Sequence, residues 1–529
     1  MTIEFLYPEL CNLYGDRGNM DYLRRCLPAD TRQTYMGDEP WFVQHEVDLI
    51  YMCSMTERSQ ERIIQALAPY RERLKDLMAG GTHFLLTGNA MEVFGKTIRD
   101  GEKTISGLGL LDLTARRILP RRANSLFLGG FEGTKIVEVG EEAALRAKYP
   151  DAEIIDAKGG VIMPAFINAH THIYSALARG LSIVGNNPTN FYEVLDGTWW
   201  AIDRHLMMDG TKASATALYM DSIKQGVTTI FDHHASYGEI PGTLHTIAEE
   251  SKRLGLRSCL CYEVSDRDGE EKCLQAIQEN ADFITECEKN KDPMLAAMFG
   301  GHALFTISDK TFDRMVEANN GRTGYHIHVS EGMNDVYDSL QNYGRRPVQR
   351  LQDHGILGEK TILGHCIHVN TAEMDIIRET NTMVVNNPES NMGNAIGICP
   401  VLQLYKRGIL LGMGTDAYTN DMLESLKVAL CSQRSQNCLP NVGWCEVTDM
   451  LFKNNAKIGA RYFPDQLGVL KAGAAADIIV MDYKPFTPFS DENIDGHMIF
   501  GMTGRQCQTT IAAGKTLMLD RQLVGIDEE

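Results

Sequence analysis

From about residue 160 onward, short apolar or β-branched runs alternate with longer stretches of helical period. Eight of these runs stand out in order: VIMPAFINAH, VTTIFDHH, RSCLCYEV, LAAMFGGH, GYHIHVS, TILGHC, TMVVNN and ILLGMGTD. Their length and composition predict buried strands, and the amphipathic stretches between them predict helices. Each run ends at or near a polar residue: His170 and His172, then His233, Glu263, His302, His328, His365, Asn386 and Asp416. Eight βα units with polar strand ends describe a TIM barrel, whose chemistry is built at the C-terminal face of its strands. An open doubly wound sheet gives no reason for eight such ends.

Residues 1 to about 120 follow a different pattern. Short apolar runs (DLIYM, THFLLTG) flank the charged helical stretch ERSQERIIQALAPYRERLKDLMAG, which predicts a small α/β unit. That segment holds two of the fifteen histidines, whereas twelve fall between His170 and His368, so any imidazole chemistry belongs to the later segment. The Pro- and Gly-broken, arginine-rich stretch RRILPRRANSLFLGGFEGTK marks the join. The expected division is therefore an α/β segment over 1–120, a join over 121–160, a barrel over 161–465 and short strands over 466–529.

With 529 residues, 43% of them hydrophobic, the chain has enough apolar material for two or three cores. The N-terminus MTIEFLYPELCNLYGDRGN has neither the basic start nor the apolar run of a signal peptide, so a cytoplasmic protein is expected. Thirteen cysteines without Cys-x-x-Cys spacing argue against a disulfide framework or a structural zinc site. A formal charge of -19 disfavours nucleic acid and anionic membranes, leaving small neutral or cationic partners. The bland reading of that charge is solubility.

Asn168-Ala169-His170-Thr171-His172 closes the first barrel run, where residues i and i+2 share a side. Two imidazoles then converge on one point, as a zinc or ferrous ion requires. His328 with Glu331, His365 and Asp416 end later strands, and three imidazoles with a carboxylate can hold one metal while leaving a position for water. His326 lies two residues before His328 on the same face and is a rival ligand. His328 is preferred because Glu331 follows it at the strand end. His368 reads as a loop residue behind the site. His233, His234 and the Trp199-Trp200 pair either line the pocket or pack its loops.

The strings PAFINAHTH, HVSE, GHCIH and GTDA, in this order over roughly residues 136–525, resemble the amidohydrolase superfamily, particularly its guanine deaminase, cytosine deaminase and triazine chlorohydrolase branch. Within it, INAHTHIYSALARG, FDHHAS and CYEVSDRDG are most similar to the aminohydrolases called SsnA. The resemblance implies one divalent metal, zinc or iron, on His170, His172, His328 and Asp416. It also implies catalytic roles for Glu331, His365 and Asp416. Two-metal members use a lysine on the fourth strand, and LAAMFGGH offers none. Substrate contacts are expected at His302, Arg267 and Glu263. The resemblance further implies a homodimer and a small β-sandwich that joins TKIVEVG and AEIIDAKGG to LGVLKAGAAADIIVMDY and QTTIAAGKTLMLD, with the family's usual first strands missing.

In the first segment, Tyr14-Gly15-Asp16-Arg17-Gly18-Asn19, LLTGNAMEVFG and GLGLLDLTAR resemble amidotransferase-like proteins related to cobyric acid synthase and to the glutaminase subunit that partners a Mur ligase. Such chemistry needs a cysteine on a tight turn with a histidine to activate it. Thr87 stands at the expected nucleophile position, and the half of the domain that would bring the histidine is absent. Cys53 reads as a buried strand residue, so this segment is expected to be inactive. At the join, NSLFLGGFEGTKIV still resembles the amidotransferase-like family, while EVGEEAALRAKYPDAEIIDAKGG resembles the hydrolase.

The expected fold is a (β/α)8 barrel flanked by a small β-sandwich and preceded by a partial α/β segment. The expected function is a metal-dependent aminohydrolase that deaminates a purine, pyrimidine or related heterocycle. Two alternatives stand beside it: displacement of chloride or an alkylamine from a triazine-like ring, and a binding or scaffold role carried by the amidotransferase-like segment.

Overall fold

The structure is a computed structural model describing all residues except 14–16, 102, 118–125 and 529. Part of the YGDRGN motif (residues 14–16) and much of the arginine-rich join therefore lie outside the described residues. The chain divides into two compact units, Met1–Arg122 and Ala123–Glu529.

The first unit is a parallel sheet of β1 (Thr2–Leu6), β2 (Asp30–Thr34), β3 (Leu49–Met52) and β4 (His83–Leu86), in the order β2-β1-β3-β4. The charged stretch forms helices Glu57–Leu67 and Arg71–Ala79, the first of them capped by Thr56, which accepts from the Ser59 amide at 3.2 Å. A small sheet of β5 (Thr97–Asp100), β6 (Lys103–Ser106) and β7 (Thr114–Arg117) follows. Cys53 is fully buried behind β3.

The second unit begins with a hairpin of β8 (Leu126–Glu132) and β9 (Lys135–Glu141) and continues to β10 (Val161–Pro164). Parallel strands then form the barrel: β11 (Phe166–Thr171), β12 (Val227–Asp232), β13 (Arg257–Leu260), β14 (Leu295–Ala297) and β15 (Phe299–Ala303). They are followed by β16 (Tyr325–Val329), β17 (Ile362–His365), β18 (Met383–Asn386) and β19 (Leu411–Met413). β14 and β15 are two halves of the fourth stave, joined through Met298, whose amide donates to the Leu260 carbonyl at 3.0 Å. The ring closes where Thr171 bridges Asp416 and the Thr415 amide donates to the His170 carbonyl at 2.9 Å.

Alternating inward positions along the strands, among them Ile167, Ala169, Phe231, Cys259, Met298, Met383 and Val385, fill the barrel with a closed apolar core. The opposite faces of the strands bury against the surrounding helices. Gly414 lets β19 run on close to β11. A Cβ there would stand 2.6 Å from the His170 carbonyl oxygen and 2.5 Å from Asn387 Oδ1, and two residues later the chain delivers Asp416.

After the barrel come β20 (Ile478–Met481), β21 (Cys507–Ala512), β22 (Lys515–Leu519) and β23 (Gln522–Leu523). They join β10 in an antiparallel sheet of order β10-β20-β21-β22-β23. The β8–β9 hairpin meets this region through the Lys135–Ala475 bridge, and Ile136, Ala474, Ala476, Ile478 and Ile511 share a small core.

Two expectations are corrected here. AEIIDAKGG forms no strand: Lys158 and Gly159 turn the chain in the left-handed region, and Ile155 only packs against the small core. The strand next to β20 is VIMP, so the run VIMPAFINAH is two strands and the barrel begins at Phe166 rather than at 161. Pro164 ends β10, and the Ala165 amide donates to the Asp477 carbonyl at 3.1 Å as the chain crosses into the barrel. Residues 126–132, within the join, form β8 opposite β9.

Candidate active site

The strand ends bring His170, His172, His328, His365, Glu331 and Asp416 to one place. Each ligand histidine spends Nδ1 on a partner in the fold. His172 Nδ1 donates to the His233 carbonyl at 2.6 Å, and His328 Nδ1 donates to the His302 carbonyl at 2.8 Å. His170 Nδ1 lies 2.8 Å from His326 Nε2. The Nε2 atoms are left facing inward. Those of His172 and His328 are 3.2 Å apart, Asp416 Oδ1 is 3.1 Å from His172 Nε2, and buried His170 Nε2 has no hydrogen-bond partner among the described residues.

That arrangement fits a divalent cation. Ring nitrogens crowded at 3.2 Å beside an orphaned buried nitrogen and a carboxylate call for a shared positive charge, and imidazoles anchored through their other nitrogen are the usual way a fold aims its ligands. His170, His172 and Asp416 have ligand atoms within 4.8 Å of one another, as do His170, His328 and His365. His172, His233, Glu263 and His328 form another such set. His233, however, already uses both nitrogens, Nδ1 at 3.0 Å from Glu263 Oε1 and Nε2 at 3.0–3.1 Å from the carbonyls of His326 and Gly301.

Burial, then the neighbouring rings, holds His170 and His328 well below the ordinary imidazole range, so both are neutral donors. Burial would depress His172 too, but the hydrogen bond and charge of Asp416 outweigh it and lift the ring to about 9. Asp416 itself is buried, yet His172 holds it below the usual carboxylate range. Glu331 is driven the other way, first by burial and then by the Asp416 charge, so it keeps its proton well above the normal range. The two carboxyl groups thus stand ready as a base and an acid.

His365 Nδ1 lies 2.7 Å from Asn391 Oδ1, which fixes the ring, and Nε2 is 3.5 Å from Glu331 Oε1 and 3.6 Å from Asp416 Oδ2. Ser390 donates to Asp416 Oδ2 at 2.5 Å. Ser330, His365, Cys366 and Asp416 all have positive φ, a costly backbone state that the strand-end turns impose in order to aim these side chains.

A pocket opens above this cluster. Its floor holds His172, His328, Glu331 and Asp416, and Tyr174, Phe191, Trp199, Trp200 and Tyr418 supply aromatic walls. Such walls suit a flat ring. Glu263, Arg267 and His302 form a polar side. Arg267 forms an ion pair with Asp203 and stacks 4.5 Å from the Tyr237 ring and 5.1 Å from the Trp200 ring.

The structure therefore gathers all the expected ligand, catalytic and contact positions around one pocket. Of the undecided residues, Trp199 and Trp200 line it, His233 lies behind Glu263, and His234 is buried with Nε2 at 3.0 Å from Ser236 Oγ. His368 bonds the Ile396 carbonyl at 2.8 Å and stays outside the cluster. Sequence reasoning missed Ser390, Asn391, Tyr174 and Tyr418. All four sit within about eight residues after a barrel strand, and that position was the available signal.

A family model described as "Amidohydrolase family" matches residues 161–517, and one described as "Imidazolonepropionase-like composite domain, bacteria" matches residues 131–152. The chain is 32% identical over 396 residues to a 5-methylthioadenosine/S-adenosylhomocysteine deaminase of Thermococcus sibiricus, covering 73% of this chain and 88% of that one. It is 28% identical over 408 residues to a 5'-deoxyadenosine deaminase of Methanosarcina mazei, covering 75% and 90%. Its fold matches a structure of an adenosine deaminase from Xanthomonas campestris with bound zinc. The TM-score is 0.65 at 20% identity, covering 82% of this chain and 94% of that one.

Proposed function

The chain belongs to the amidohydrolase family, and from that premise we propose that its barrel hydrolyses the exocyclic C–N bond of a purine, pyrimidine or related heterocycle and releases ammonia. The carrying observation is the convergence of imidazole Nε2 atoms on the Asp416 carboxylate, with Glu331 beside them on the pocket floor and His365 Nε2 between the two carboxyl groups. The deaminase names of the two relatives favour an adenosine-type substrate.

A divalent cation on His170, His172, His328 and Asp416 would supply a Lewis acid that makes water nucleophilic at neutral pH. The donor set accepts zinc or iron alike. Asp416 takes a proton from the attacking water through Oδ2, the oxygen that Ser390 steadies. Glu331 gives its proton to the ring nitrogen as the carbon becomes tetrahedral, takes the proton of the hydroxyl now on that carbon and hands it to the leaving amine as the carbonyl forms, and the proton held on Asp416 then restores Glu331. His365, held by Asn391, orients the attacking oxygen between Glu331 and Asp416. The aromatic walls hold the ring flat over this floor.

The reading extends to the rest of the chain. The β8–β9 hairpin and the β10–β23 sheet act as a small β-sandwich bracing the barrel. Residues 1–120 are a truncated amidotransferase-like segment without glutaminase activity.

The test is product analysis with metal-quantified protein on adenosine, 5'-deoxyadenosine, guanine, cytosine and a chlorotriazine. Ammonia should appear from at least one nitrogen heterocycle, vanish on chelation and return with zinc. Chloride or alkylamine as the sole product would move the reading to the triazine type, and no product with one metal per chain would reject it.

A further inference from the structure

Tyr418, Asn394, Ser390 and Asp416 all line the pocket, and hydrogen bonds join them in that order. Ser390 Oγ is 2.5 Å from Asp416 Oδ2, Asn394 Nδ2 is 3.1 Å from Ser390 Oγ, and Tyr418 Oη is 3.1 Å from Asn394 Oδ1. The polarity of the row follows from its inner end. A carboxylate only accepts, so the Ser390 hydroxyl spends its one proton on Asp416 and keeps its lone pairs for a donor. Asn394 must then turn its NH2 toward Ser390 and its oxygen toward Tyr418, whose hydroxyl donates. Every proton in the row points toward Asp416.

The local fold builds this row. Ser390 and Asn394 stand at positions i and i+4, on and just after helix Pro388–Gly393, so their side chains share a face. The Tyr418 ring lies over Gly393. A Cβ on Gly393 would stand 2.4 Å from Tyr418 Cε1 and 2.5 Å from its Oη, so the missing side chain makes the seat for the ring. At the inner end, Ser390 supplies the hydrogen bond that Asp416 Oδ2 receives among the described residues, since His365 Nε2 stops at 3.6 Å. A reversed Asn394 amide would set its oxygen against Ser390 Oγ and draw that proton away from Asp416. A phenol donates better than it accepts, so Tyr418 favours the orientation that serves Asp416.

We propose that Asn394 and Tyr418 are positioning residues for the base: acting through Ser390, they fix Asp416 Oδ2 in the place from which it takes the proton of the attacking water. A partly exposed tyrosine on the pocket wall is thereby tied to the buried carboxylate on its floor. The inference rests on the deaminase reading for the role of Asp416.

Double-mutant cycles test it with two readouts. The variants are Ser390→Ala, Asn394→Ala and Tyr418→Phe, with each of the last two also combined with Ser390→Ala. The first readout is kcat and KM for ammonia release from the best substrate among adenosine, 5'-deoxyadenosine, guanine and cytosine. The second is zinc affinity by chelator competition, which needs no turnover. Ser390→Ala and Asn394→Ala should each lower kcat about 10- to 100-fold, the range for partners that hold a ligating side chain, and zinc affinity should fall with it. Tyr418→Phe removes one hydrogen bond and keeps the ring, so a loss of about 2- to 10-fold is expected. KM should move less than about threefold, because the pocket walls remain. In the Ser390→Ala background, Asn394→Ala and Tyr418→Phe should change either readout by less than about twofold, since the residue they act through is gone.

The proposal is overturned if Asn394→Ala and Tyr418→Phe leave both readouts at wild-type values, if their effects multiply in full with that of Ser390→Ala, or if the loss falls on KM alone. Thermal midpoints report whether each variant folds, and the Tyr418→Phe cycle decides the matter by itself if Asn394→Ala does not. The two readings fail separately. No ammonia from any of the four compounds removes the deaminase while the zinc cycle still decides the row, and ammonia release with fully multiplying effects removes the row while the deaminase stands.

Discussion

His170, His172 and His328 each commit one nitrogen to the fold and aim the other at a shared place, and this division of labour was only half visible in the sequence. The His-x-His spacing announced His170 and His172, because a strand repeats every two residues. The same rule could not choose between His326 and His328, which share a face. The structure separates them by depth: His328 Nε2 reaches the cluster, while His326 Nε2 stops 2.8 Å from His170 Nδ1 and fixes that ring from behind. Removing this support, as in His326→Ala, should weaken metal binding about 10- to 100-fold in a chelator competition while leaving the fold intact. Affinity equal to wild type would show that His170 needs no such brace. The pinning of Glu263 by His233 was equally hidden, since it depends on carbonyls from two other strands.

The eight barrel strands were legible because each is a short apolar run closed by a polar residue. Where a run changes sheets was not legible. VIMPAFINAH is uniformly apolar, and nothing in its pattern says that Val161–Pro164 pairs with β20 while Phe166–Thr171 enters the barrel. The crossover is held from below by a buried ion pair. Arg257, at the start of β13, meets Asp477, which also accepts from Thr228 Oγ1 at 2.9 Å and the Ala513 amide at 2.8 Å. Arg257 is fully buried, so Arg257→Ala strands a carboxylate without its cation and should cost about 3–5 kcal/mol in urea unfolding. Metal content should not change, because the pair lies at the opposite end of the strand from the histidines. A loss below about 1 kcal/mol would mean that the crossover does not depend on the pair.

At the scale of the molecule, the sequence divided the chain by where its histidines lie, and the structure divides it into units ending at Arg122 and beginning at Ala123. The first unit has its own sheet and apolar core, with Cys53 buried in that core. No described helix is long and apolar enough to cross a membrane. The second unit carries the family match and the candidate site, and the account stands or falls on the proton-transfer role proposed for Glu331 there. The most direct measurement is the rate of ammonia release by Glu331→Gln beside the wild type, with both proteins carrying one metal per chain. The account predicts a loss of about 10²- to 10⁴-fold at unchanged metal content, the range expected when a positioned proton donor is removed. A variant that releases ammonia at the wild-type rate would contradict it.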